Sequence, residues 1–348
     1  MHNTKKLWIA LTIVLIGTFT ILGLFGREVY RKAPPIPEKV YTEDGQLLTT
    51  KDEILHGQNI WQSIGGQQIG SIWGHGAYQA PDWSADWLHR ESLALLNLYS
   101  QADYGLPFDN LSLEQQASLK ERLKQEMRTN TYNPETGELL ISSVRSHAIS
   151  STGEHYSALF GNDPELDGLR ESYALHDNAV PDKSNRQALN AFFFWTSWAC
   201  ATERPDLNVT YTNNWPHEPL IGNQPTAANL LWSIISIVML IAGVGALVWF
   251  KVFKDRQEES SPDTTKDDPL GKIELTPSMR ALWKYAVVVI GLFGLQVLLG
   301  ALTAHYTVEG KAFFGIPIAN WIPYAVSRTW HVQLAVFWIA TAFLTIGL

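Results

Sequence analysis

Four apolar runs divide the chain: Leu7–Phe25, Leu230–Phe250, Ala286–Ala304 and Val332–Leu348. The first three are each about long enough to cross a bilayer as a helix. The fourth begins in the same way and the sequence stops inside it. Only Gln296 and Thr303 interrupt the third run. A long polar stretch separates the first run from the second. Within it, Ser112 followed by Gln115 has the form of a capping box, and Leu119, Leu123 and Met127 repeat at helical spacing. The segment Tyr132–Gly137 reads as a turn, Leu139–Val144 as a short strand, and aromatic-rich Ala188–Ala201 as a helix. Pro34, Pro35 and Pro37 predict a stiff, extended exit from the first run.

This pattern predicts a membrane all-α protein with four transmembrane helices, the last one truncated, and a mostly helical extracytoplasmic domain. Residues 1–26 form an N-terminal anchor, with a cleaved signal peptide as the alternative. Residues 27–224 form the polar domain, 225–253 the second span, 254–280 a linker rich in Ser, Asp and Thr, and 281–348 the third and fourth spans.

Charge sets the orientation. Lys5 and Lys6 precede the first run, and seven Lys and Arg residues between Lys251 and Lys284 connect the second and third. Only Lys311 and Arg328 lie between the third and fourth. Basic loops stay in the cytoplasm, so the polar domain lies outside it, in the periplasm of a bacterial inner membrane. Arg27, Arg31 and Lys32 oppose this for the first span.

The net charge of −8 argues against nucleic acid as a partner. One cysteine, Cys200, excludes an intrachain disulfide, a metal site built on cysteine pairs, and covalent haem c, which needs C-x-x-C-H. The histidines of the polar domain form no H-x-x-x-H pair.

Chemistry concentrates at the ends of the last two runs. His331 opens the fourth run within Ser327-Arg328-Thr329-Trp330-His331. It reads either as a hydrogen-bonded interfacial histidine or as an axial ligand to haem iron in a helix bundle. His305, Glu309 and Phe313 repeat every four residues, and share one face if the helix continues past Tyr306. An imidazole, a carboxylate and an aromatic lid suit a quinol head-group; a solvated helix end is the alternative.

Several segments, in order, resemble the quinol-dependent nitric oxide reductases, in which the small and large subunits of the cytochrome c-dependent enzyme are fused. They are Gly57–Ser63, Trp73–Asp82, and Trp195–Asn223 with its Thr212-Asn213-Asn214-Trp215-Pro216-His217-Glu218-Pro219 stretch. The resemblance implies that the polar domain is a cytochrome c-like fold lacking haem, with Gly65–Gly70 where the haem-binding cysteines would stand. It implies that His331 is an axial ligand of low-spin haem b, and that His305, Glu309 and Phe313 line the quinol pocket. The family's high-spin haem b and non-haem iron, where two nitric oxide molecules become nitrous oxide and water, are held by later helices. The 348 residues are therefore expected to be the electron-entry part, inactive alone. Membrane quinol, nitric oxide and the bilayer are the partners implied, with homo-oligomerisation left open. Two rivals stand beside this reading: a non-enzymatic membrane sensor or assembly protein, and another oxidase of the haem–copper type.

Overall fold

A computed structural model of the protein describes residues 4–77, 80–258, 274, 276–309, 316–318 and 321–347. The chain starts with helix α1 (Thr4–Arg31) and passes into strands β1 (Lys39–Thr42) and β2 (Leu47–Thr50). Next come helix α2 (Lys51–Ser63), the short strands β3 (Ser71–Ile72) and β4 (His75–Gly76), and helices α3 (Trp83–Tyr104) and α4 (Leu113–Arg128). Strands β5 (Tyr132–Asn133) and β6 (Glu138–Ile141) precede helices α5 (Ser143–Leu159), α6 (Asp167–Ser172) and α7 (Lys183–Ala201). Three long helices finish the chain: α8 (Ala227–Glu258), α9 (Pro277–Glu309) and α10 (Tyr324–Gly347).

Side-chain caps explain where the domain helices begin. Thr50 and Ser112 each form a full capping box, with Glu53 and Gln115, and Asp82, Ser142 and Asp182 cap α3, α5 and α7. The cap at Ser142 ends the strand predicted over Leu139–Val144: its hydroxyl accepts from the Arg145 N–H, so the chain turns helical after Ile141.

The all-α expectation needs one correction. Strands β2, β1, β6 and β5 form a four-stranded sheet in that order, in which β1 and β6 run parallel and the other pairs antiparallel. Gly137, in the left-handed region at φ 72°, closes the β5–β6 turn. The domain is still mostly helical.

Helix α7 is the axis of the domain. Phe192, Phe193, Phe194, Trp198 and Cys200 are all buried. Phe193 stacks on Trp83 at 5.7 Å, and Tyr156 and Phe160 close around the same indole. Each fully buried side chain of this size contributes roughly 1.5–3 kcal/mol. Beneath this core, Glu91 pairs with Arg145 at 2.7 Å, and Trp87 donates to the second carboxylate oxygen of Glu91 at 2.9 Å. Both charged groups are buried, so their specific pairing offsets the cost of desolvation.

Among the described residues, three helices are long and apolar enough to cross a membrane: Leu11–Arg31 in α1, Ala227–Phe253 in α8 and Met279–Tyr306 in α9. The protein is thus a multi-pass membrane protein. Helix α10 packs antiparallel on α9, with Tyr306 bonded to the Ile322 carbonyl, Thr303 to Ser327 and Gln296 to Trp338. The Ser-, Asp- and Thr-rich linker falls mostly outside the described residues.

Candidate functional site

The domain sits on the ends of α9 and α10 where the two helices leave the apolar zone. Leu299, Leu302 and Tyr306 of α9, with Tyr324 of α10, belong to the same hydrophobic core as Trp61, Trp83 and Phe193. The Thr329 hydroxyl of α10 donates to the Gln68 side-chain carbonyl of the domain. Two clefts flank this bond. One, of about 640 Å³, is polar and lined by Gln58, Gln62, Gln67, Gln68 and Arg328 among others. The other, of about 620 Å³, is mainly apolar and includes Ile64, Ile69, Leu175, Tyr324, Val326 and Trp330.

His331 lies on α10 against α9. Its Nδ1 is 2.9 Å from the Gln296 carbonyl oxygen. A carbonyl only accepts, so this bond puts the ring proton on Nδ1. A neutral imidazole then keeps its lone pair on Nε2, the atom that would hold a metal. The side chain of the same Gln296 accepts from Trp338 Nε1, and Trp338 meets Phe293 edge-on at 5.4 Å. Gln296 and Thr303, the two polar interruptions of the third apolar run, thus both serve to join α9 to α10.

His305 lies nine residues along α9 from Gln296, about 14 Å of helix axis nearer the domain. It is buried, 6.1 Å from the Tyr306 ring. Tyr306 meets Tyr324 edge-on at 5.9 Å. The helix does continue past Tyr306, so His305 and Glu309 occupy one face of α9. Phe313 lies outside the described residues. His331 and His305 therefore stand at two levels of one helix pair rather than in a single cluster.

Three of the described domain histidines bond within the domain. His56 bonds Asn185 at 3.0 Å, His89 pairs with Glu218 at 2.8 Å, and His176 bonds the Asp177 carbonyl. A further cleft within the domain, about 720 Å³, contains Glu53, His56 and Glu154, but the Glu53 carboxylate is taken up by Thr49 and the cap of α2. No group of three His, Cys, Asp or Glu side chains suited to a metal ion occurs among the described residues. Cys200 is fully buried and burial pushes its thiol pKa up. One such thiol does not fit covalent haem attachment. His331 does fit non-covalent haem, because its Nδ1 bond leaves Nε2 as the donor.

Sequence reading did not single out Gly300, Tyr306, Tyr324 or the Gln68–Thr329 contact. Gln296 carried a signal, as an amide inside an apolar run; its partners were not readable.

A mostly helical domain that shares one core with the ends of membrane helices defines a multi-pass membrane protein. A family model, the NorB cytochrome c-like domain of nitric oxide reductase, matches residues 37–217, just over half of the chain. The chain belongs to that family, which makes it a relative of nitric oxide reductase in electron transfer, with haem as the associated cofactor. No curated protein matches it significantly.

Proposed function

We propose that this chain is the electron-entry part of a quinol-dependent nitric oxide reductase. The family match over residues 37–217 carries the reading. In it, α1, α8, α9 and α10 are four spans of a bacterial inner membrane, and residues 27–224 form a periplasmic cytochrome c-like domain that works without haem.

The quinol head-group docks at the domain-facing end of α9. His305 and Glu309 share a face there, with Phe313 as the aromatic cover. The His305 imidazole accepts the hydrogen bond of one quinol hydroxyl, and the carboxylate of Glu309 receives a proton as oxidation proceeds. Oxidation of one quinol releases two protons and two electrons. Low-spin haem b, when bound, supplies a one-electron relay. His331 would hold the iron through Nε2, and the Gln296 carbonyl favours the tautomer that leaves this nitrogen free to donate. A high-spin haem b and a non-haem iron, held by residues outside these 348 together with the second ligand of the low-spin haem, would supply the chemistry by which two nitric oxide molecules, two electrons and two protons give nitrous oxide and water. The rival of a sensor or assembly protein does not account for the family match.

Two substitutions, made in the full-length haem-loaded reductase of which this chain is proposed to be a part, test the proposal. His305→Ala is expected to depress quinol-driven turnover by about a hundredfold or more, on the order of what a positioned acid–base group contributes. Turnover with an artificial donor should stay near the parent level. Equal loss with both donors would remove the quinol assignment. His331→Ala is expected to abolish the low-spin haem absorbance.

A further inference from the structure

Helix α9 carries a notch opposite His331. A Cβ built on Gly300 would lie 2.7 Å from His331 Cε1 and 2.9 Å from Nδ1, closer than carbon can approach either atom. The imidazole thus lies flat against bare backbone. Gly291 and Gly294 of the same helix, and Gly243 and Gly245 of α8, would place a Cβ in open space. Gly is the poorer helix former at all of these sites, but only Gly300 has an imidazole in the place of its missing side chain.

The notch explains how a histidine on α10 reaches a carbonyl inside α9. Within an α-helix the Gln296 oxygen faces the N–H of residue 300, so its second lone pair is accessible only past that residue. With no Cβ there, Nδ1 comes to 2.9 Å of the oxygen. Nε2 is the ring nitrogen farther from the built Cβ, at 3.6 Å, and faces away from the notch. Trp338 holds the other end of Gln296 through its side chain.

We propose that Gly300 and the Gln296 carbonyl form a seat that orients His331 as a metal ligand, which makes Gly300 a positioning residue. This rests on the reading of His331 as the axial donor. Any side chain at 300 would lift the ring from the carbonyl. Loss of the Nδ1 bond lowers the basicity of Nε2 and weakens donation to the oxidised iron most, so the reduction potential rises.

The test compares Gly300→Ala, Gly294→Ala and His331→Ala in the full-length haem-loaded reductase purified from membranes, by redox titration of the low-spin band and by electron paramagnetic resonance of the oxidised form. Gly300→Ala should raise the midpoint potential and alter the low-spin resonance, or lose low-spin haem, while Gly294→Ala matches the parent in both. If Gly300→Ala also matches the parent while His331→Ala has lost the low-spin signal, the seat is wrong and the ligand assignment stands. If His331→Ala keeps the signal, the ligand assignment fails and the seat with it. Should Gly300→Ala fail to accumulate, the unsubstituted protein still decides. Its redox-difference infrared spectrum should show an imidazole band that shifts in deuterium oxide as an Nδ1–H bonded to a carbonyl does, and an unprotonated Nδ1 would overturn the seat.

Discussion

Single residues in this protein act through what surrounds them, and His155 on α5 is a clear case. Its Nε2 is buried with no hydrogen-bond partner, and its ring meets Tyr156 edge-on at 5.4 Å. Burial, and then the positive charge of Arg90, hold its pKa below the ordinary histidine value, with Asp86 opposing. Above a pH of about 6.5 the ring is neutral in both folded and unfolded chains, and its full contribution to stability is present. As pH falls below that value the unfolded chain takes up the proton first, so stability declines until the folded pKa is passed. Thermal unfolding of the purified protein should therefore shift to lower temperature between about pH 7 and pH 5, a window that lies above most carboxylate titration. His155→Gln should flatten that decline. Parallel curves for the two proteins would show that His155 is not the group responsible.

At the scale of elements, the contact between α2 and α7 is the tightest in the domain. A Cβ on Gly57 would lie 1.9 Å from the Ala188 carbonyl oxygen, a backbone atom that cannot move without α7. Helix propensity favours Gly57→Ala by roughly 1 kcal/mol. Overpacking a rigid contact costs about 1–3 kcal/mol, sometimes more, and here it wins. The variant should melt several degrees lower than its parent, whereas Gly168→Ala on α6, with open space around its Cβ, should not. A melting point unchanged in Gly57→Ala would mean that the two helices separate at little cost. The helices themselves were largely legible. The Ser112 cap and the four-residue spacing of Leu119, Leu123 and Met127 sit within α4 as read, and α7 differs only in starting five residues earlier, at the Asp182 cap. The sheet was not legible, because β1 and β6 are four residues each and pair across nearly a hundred residues of chain. The Leu139–Val144 reading did find β6, but nothing local encodes its partner. The same distinction holds at the candidate site. Gln296 stands out as a polar group inside an apolar run, and His305 and His331 as ionisable groups at the ends of two such runs, all costly placements. Gly300 does not, since its role depends on a side chain on another helix.

For the whole molecule, the decisive feature is that the domain and the helix pair are not merely tethered. Tyr306 and Tyr324 enter the same core as the domain aromatics, and the Gln68–Thr329 bond ties the glycine-rich turn at 65–70 to the helix that carries His331. Thr329 lies two residues before His331, so movement of the turn bears on the N-terminal part of α10. A domain that only covered the membrane end would need no such bond. Thr329→Val keeps the shape of the side chain and removes the donor. A single hydrogen bond contributes about 0.5–1.5 kcal/mol, too little to unfold the domain but enough to raise local opening roughly two- to twelvefold. Hydrogen exchange in the 65–70 turn and in the first turns of α10 should therefore quicken together in this variant, with α7 unchanged. Gln68→Ala should reproduce that pattern, and the double variant should add little to either single one, because both remove the same bond. If exchange quickened only at the site of each substitution, the two zones would be independent bodies in contact. A joint response would mean that the domain braces the helix that carries His331.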